Sequence, residues 1–134
     1  MKGNNVGQST MRTAAPALTT ERFCYLETIG RVSGRPHEVE MWFAAGEDGW
    51  IYMLAGKRER RDWVKNLRRN PSVRVQVGGV YYSGVAHIIE DIEGDQRARR
   101  LLAAKYQGWR DGAPLSEWAR TSLPVAILLE RNDS

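Results

Sequence analysis

Apolar and polar positions alternate with a period of two over much of the chain, the mark of strands that turn one face to a core. Residues 23–29 mix aromatic and aliphatic side chains and predict a first strand, ended by Gly30. From His37 to Ala44, Glu38, Glu40 and Trp42 alternate with Val39, Met41 and Phe43, which predicts a second. Gly46, Glu47, Asp48 and Gly49 form a turn by composition. Residues 50–55 are a continuous apolar run, expected as a strand buried on both faces. These three strands are expected to form an antiparallel meander. Val73, Val75 and Val77 point one way along 72–77, and Gly78-Gly79 signals a hairpin. The return strand, 80–89, places Tyr82 and Gly84 opposite Tyr81, Ser83 and Val85. A last strand is expected over 124–130.

Two segments carry a helical period instead. Over 62–69, Trp63, Asn66 and Leu67 share a face, Asp62 is placed to cap the start, Arg68 and Arg69 suit the last turn, and Asn70-Pro71 stops the helix. Ala98, Leu101, Leu102 and Lys105 predict a longer helix over 94–107, after the acidic stretch 90–93. Residues 108–123 read as irregular. Residues 1–18 are polar, Gly-rich and without period, and are expected as a flexible arm before one domain over 19–134. Connections are short and there is no βαβ alternation. The expected fold is therefore mainly β, in the α+β class: an antiparallel barrel of about six strands with two to four peripheral helices.

Composition narrows this further. A chain of 134 residues is long enough for one real core, and 42% hydrophobic residues with five Trp exclude disorder. No apolar run approaches membrane-spanning length, and no apolar leader follows Lys2, so a cytoplasmic protein is expected. Cys24 is the single cysteine; inside an apolar run it reads as a buried, inert thiol.

Charge points to a partner. The chain carries a net charge of +4, and residues 31–74 hold 10 basic and 6 acidic side chains, so the whole excess lies there. The stretch from Gly30 to Pro36 combines two glycines, Ser33, Arg31 and Arg35 between two strands. Such a turn serves as an anion cradle or as a solvated basic hairpin. A second basic cluster, Lys57, Arg58, Arg60 and Arg61, leads into the short helix and favours an acidic ligand. Arg31, Arg35, Lys57 and Arg61 are expected to converge on one groove. The Asn66 amide, beside Trp63, serves either that ligand or the bracing of a neighbouring loop.

Other chemistry is missing from the sequence. There is no phosphate-binding Gly-x-x-x-x-Gly-Lys loop and no Gly-x-Gly-x-x-Gly fingerprint. His37 and His87 are the only histidines, without metal-ligand spacing, and no serine lies in a nucleophile elbow. A bound cofactor would then have to carry any reaction.

The order of Gly30-Arg31-Val32-Ser33-Gly34-Arg35-Pro36, Met41-Trp42-Phe43, Lys57, the run from Trp63 to Pro71 and Val73-Arg74-Val75 resembles the deazaflavin (F420)-dependent nitroreductase family. The similarity extends more weakly to Ser122-Leu123-Pro124-Val125-Ala126. It implies a split β-barrel related to the pyridoxamine-phosphate-oxidase barrels. It also implies binding of reduced F420, whose phosphate and polyglutamate tail are anionic. By position, Arg31, Ser33, Gly34 and Arg35 would line the tail and phosphate groove, Lys57 would meet phosphate, and Trp63 and Asn66 would sit beside the cofactor; His37, where the family often has Arg, and Arg61 are further candidate cofactor-binding residues. Tyr106 falls near the substrate-side tyrosines of the family and is the candidate catalytic residue. The implied activity is hydride transfer to a small electron-poor acceptor such as a quinone, an enone or a nitro compound. FMN is the alternative cofactor, and a non-enzymatic binder of single-stranded nucleic acid is the rival from another class. A homodimer is left open; no metal is expected.

Overall fold

The computed structural model describes residue 18, residues 20–47 and residues 49–131. Seven strands form one sheet: β1 (Cys24–Ile29), β2 (Pro36–Met41), β3 (Ala44–Ala45), β4 (Trp50–Ala55), β5 (Ser72–Val77), β6 (Val80–Ile88) and β7 (Leu123–Arg131). Three α-helices from the described residues accompany them: α1 (Asp62–Arg69), α2 (Ile92–Gln107) and α3 (Glu117–Thr121). A 3₁₀ turn at Arg58–Arg60 precedes α1. The sheet order is β2-β1-β5-β6-β7-β4-β3, and every neighbouring pair is antiparallel. The two end strands of that order, β2 and β3, are separated in sequence only by Trp42 and Phe43. One bent strand therefore joins the two edges of the sheet, and the result is a split barrel.

Two expectations are corrected here. The strand expected over 37–44 breaks at Trp42-Phe43, which makes seven strands where about six were expected. The expected meander forms only in part: β1 pairs with β2, but of the expected second strand only Ala44, now in β3, pairs with β4, whose other neighbour is β7. The burial of β4 explains its position. Ile51, Met53 and Ala55 enter the barrel core, while Tyr52 and Leu54 enter a second core beneath α2 and α3. A strand apolar on both faces needs cover on both. β2 exposes Glu38 and Glu40 and stays at an edge.

The barrel core gathers Leu26, Phe43, Val75, Val77, Val125 and Ile127, with Val64 and Leu67 of α1. Each such side chain contributes about 1.5–3 kcal/mol through its removal from water. Leu18 also packs there; the rest of the arm expected over 1–18 lies outside the described residues. α1 keeps the expected bounds but not the expected cap. Arg61 is its N-cap residue and makes no side-chain capping bond, while Asp62 occupies the first turn. α2 begins at Ile92, where the Asp91 carboxylate accepts the Gly94 N–H at 2.7 Å. α3 falls in the stretch expected to be irregular, started by Ser116, whose Oγ accepts the Ala119 N–H at 3.1 Å.

Candidate functional site

The loop from Gly30 to Arg35 leaves β1 and folds back over α1. Gly34 has φ of 73° and donates its N–H to Gly30 O at 2.9 Å, a left-handed position that favours glycine. Gly30 needs its missing side chain for space: a Cβ there would lie 2.6 Å from both Ser33 Oγ and His37 Nε2. Ser33 Oγ accepts the Arg35 N–H at 3.1 Å and pairs with His37 Nε2 at 3.2 Å.

α1 anchors this loop. Asn66 is only 4% exposed, and its Oδ1 accepts from Arg31 N at 3.1 Å and Arg31 Nη1 at 2.8 Å. Its Nδ2 donates to Thr28 Oγ1 at 3.1 Å. Arg31 Nη2 reaches the Asp62 carboxylate at 3.2 Å. The Arg31 guanidinium is thus held by two groups of α1 and remains partly exposed.

A cleft of about 530 Å³ opens between loop, β2 and helix, lined in part by Arg31, Ser33, His37, Arg61, Trp63 and Asn66. A second hollow of about 510 Å³ continues from it, sharing Val39, Arg61 and Trp63. Its own walls are Met41, Trp42, Leu54 and Trp118, with Glu40 and Gln107 as polar members. The two hollows make one groove along β2, polar and charged at one end and aromatic at the other, with Trp63 common to both. Of the residues singled out in the sequence, Arg31, Ser33, His37, Arg61, Trp63 and Asn66 meet here. Gly34, Arg35 and Lys57 are exposed and do not line it. The charged half is balanced, since Glu38 and Asp62 also line it.

Tyr106 lies behind the aromatic wall. Its ring stacks on Trp42 with centroids 4.3 Å apart and planes within 1°. Its hydroxyl accepts the Phe43 N–H at 3.0 Å, and its proton is within reach of Arg22 O at 2.7 Å and Phe43 O at 2.8 Å. Burial pushes its pKa above the ordinary 10.0. Lys105 Nζ donates to Phe43 O at 2.8 Å and sits 3.8 Å from the centre of the Phe43 ring; burial lowers its pKa from 10.5. Cys24 is fully buried and its thiol is pushed up to about 12, first by burial, so it is no nucleophile.

The sequence offers no sign of Trp118 or Gln107 as groove residues. Trp118 is only one of two tryptophans in the stretch 108–123. Among the described residues, no three His, Cys, Asp or Glu side chains could hold a metal ion. None of the described helices is long and apolar enough to cross a membrane.

The fold is shared with solved structures of low identity. A candidate 5-nitroimidazole antibiotic resistance protein from Bacteroides thetaiotaomicron superposes with a TM-score of 0.64 at 17% identity, over 97% of this chain and 81% of its own. A candidate pyridoxamine 5′-phosphate oxidase from Listeria innocua gives 0.63 at 19%, over 88% and 94%. An FAD-binding protein from Mesorhizobium loti gives 0.58 at 21%, over 96% and 91%. No curated protein matches the sequence. The profile of the F420H(2)-dependent quinone reductases matches residues 5–130, nearly the whole chain. With the split barrel already established, that match places the chain in the F420H(2)-dependent quinone reductase family and makes it an oxidoreductase.

Proposed function

We propose that this protein binds reduced F420 along the groove and reduces a small electron-poor acceptor, a quinone first among the candidates, in the cytoplasm. The carrying observation is the groove itself, charged around Arg31, Ser33 and Arg61 and aromatic around Trp42 and Trp118, with Trp63 spanning both. The donor set suits the group. Guanidinium and hydroxyl donors fit the phosphate and carboxylates of the tail, and the apolar wall fits a flat ring system. When bound, reduced F420 supplies the hydride.

The chain's own residues bind and orient. Asp62 and Asn66 hold the Arg31 guanidinium in advance, so little of its freedom is lost on binding. Arg61 stands where the two halves meet and can face either ligand. The tryptophans restrict water around the reacting rings. Reduction of a quinone takes one hydride and one proton; Tyr106 is a poor donor with its hydroxyl committed to backbone, so solvent supplies the proton.

The test is a side-by-side titration of purified protein with F420, FMN and a tail-less deazaflavin core. Tight F420 binding, weaker binding of the core and weakest binding of FMN are expected. Preference for FMN under the same conditions would overturn the assignment.

A further inference from the structure

We infer that Tyr106 is a positioning residue for the acceptor: it fixes the indole of Trp42 in the groove wall and gives no proton itself. The inference rests on the reading that the acceptor occupies the aromatic half. Trp42 and Phe43 form the bend that carries the chain from β2 to β3. At such a bend a residue leaves the ladder, and its backbone N–H and C=O need other partners. Phe43 has a fully buried side chain, and Tyr106 serves both of its backbone groups. Lys105, on the same turn of α2, adds a second donor to Phe43 O.

The neighbouring Trp42 is 38% exposed and lines the groove. Its indole lies flat on the Tyr106 ring, and Trp118 meets it edge-on at 5.4 Å. One tyrosine thus holds the bend by its hydroxyl and the indole by its ring. Tyr106 itself does not line the groove. A hydroxyl shared among three backbone groups is poorly placed to serve a substrate as well.

The experiment compares the full-length protein with Tyr106→Phe, Trp42→Phe and the double variant. Three readouts are taken: the near-ultraviolet circular dichroism of the cofactor-free protein, menadione affinity by tryptophan quenching without cofactor, and kcat and KM for menadione with reduced F420. Tyr106→Phe keeps the ring and loses the hydroxyl. It should weaken the aromatic dichroism and raise the menadione Kd and KM about tenfold, with kcat within about twofold. The double variant should be no worse than Trp42→Phe alone, as for two residues acting as one unit. Additive losses, an unchanged aromatic spectrum with unchanged menadione affinity, or a fall in kcat with a shifted pH profile would each overturn the inference. Should Tyr106→Phe fail to fold, Lys105→Met loosens the same bend and should give smaller changes of the same kind; no change there would also overturn it. If F420 does not bind the parent protein, the proposed function fails, while the two cofactor-free readouts still decide the role of Tyr106.

Discussion

Asn66 sits inside a helix with its side chain buried, and both ends of its amide are used. The sequence left it two roles, contact with a ligand or bracing of a loop; the geometry gives it the brace, at the lip of the cleft. Asn66→Ala leaves the Arg31 amide and the Thr28 hydroxyl without their partner. It should cost about 2–3 kcal/mol in urea unfolding, with a parallel loss of F420 affinity as Arg31 loosens. Cys24 gives a second prediction at this scale. Its thiol holds its proton to about pH 12 in the folded chain, against an ordinary value of 9.0. Stability from this group is complete below pH 9.0 and falls as pH rises to about 12, by up to about 1.4 kcal/mol per pH unit. Tyr106 acts in the same sense above 10.0, whereas Lys105, with a lowered pKa, acts in the opposite sense below 10.5. Both remain in Cys24→Ala, so the stability difference between parent and variant reports the thiol together with its electrostatic coupling to Lys105 and Tyr106. That difference should shrink from pH 9 upward; a constant difference would show that the thiol does not titrate as its burial requires.

At the scale of elements, the loop before β2 and the bend after it set the groove. Gly34 has φ of 73° with open space where a Cβ would stand, so its substitution meets only backbone strain. Gly34→Ala should lower stability by about 1 kcal/mol, read as a shift in urea midpoint without a change in slope. A neutral result would mean that the loop shifts to another conformation. The strands, α1 and most of α2 were legible because their periods are local and their ends carry turn residues. The break at Trp42-Phe43 was not, because both residues continue the alternation of β2 and the bend comes from closing the barrel. α3 was hidden for a different reason. It has only five residues and is held partly from outside, where Arg99 and Arg58 donate to Ala119 O and Thr121 O at 2.8 Å.

For the whole molecule, charge is the property that sequence and structure describe differently. The basic excess of residues 31–74 is real, but acids neutralise the part of it inside the cleft. Arg35, Lys57 and Arg60 remain as exposed charges outside the lining. Exposed charges act at longer range and are screened within about 8–10 Å at ordinary salt. Arg61 is exposed as well but lines the cleft, so Arg61→Ala should reduce F420 affinity several-fold at low salt and less as salt rises, on the order of 1 kcal/mol for an exposed contact. Lys57→Ala should mainly flatten the salt dependence. Affinity for the tail-less core should change little in either variant. Equal effects of the two substitutions would place the tail across Lys57 as well as the cleft.

Hydrophobic period, turn residues and helix stops act over a few neighbouring positions. The sequence by itself therefore determined the strands apart from the break between β2 and β3, the two longer helices, the mainly antiparallel β class and the basic third of the chain. Strand order depends on which faces find cover. Only the tertiary structure decided that β4 leaves β2 to lie between β7 and β3, where both its apolar faces are buried. The same holds for the site. Arg31 and Asn66 are 35 residues apart, and Phe43 and Tyr106 are 63 apart. Neither pair has a local signal, because each contact exists only once the closed barrel has brought its elements together.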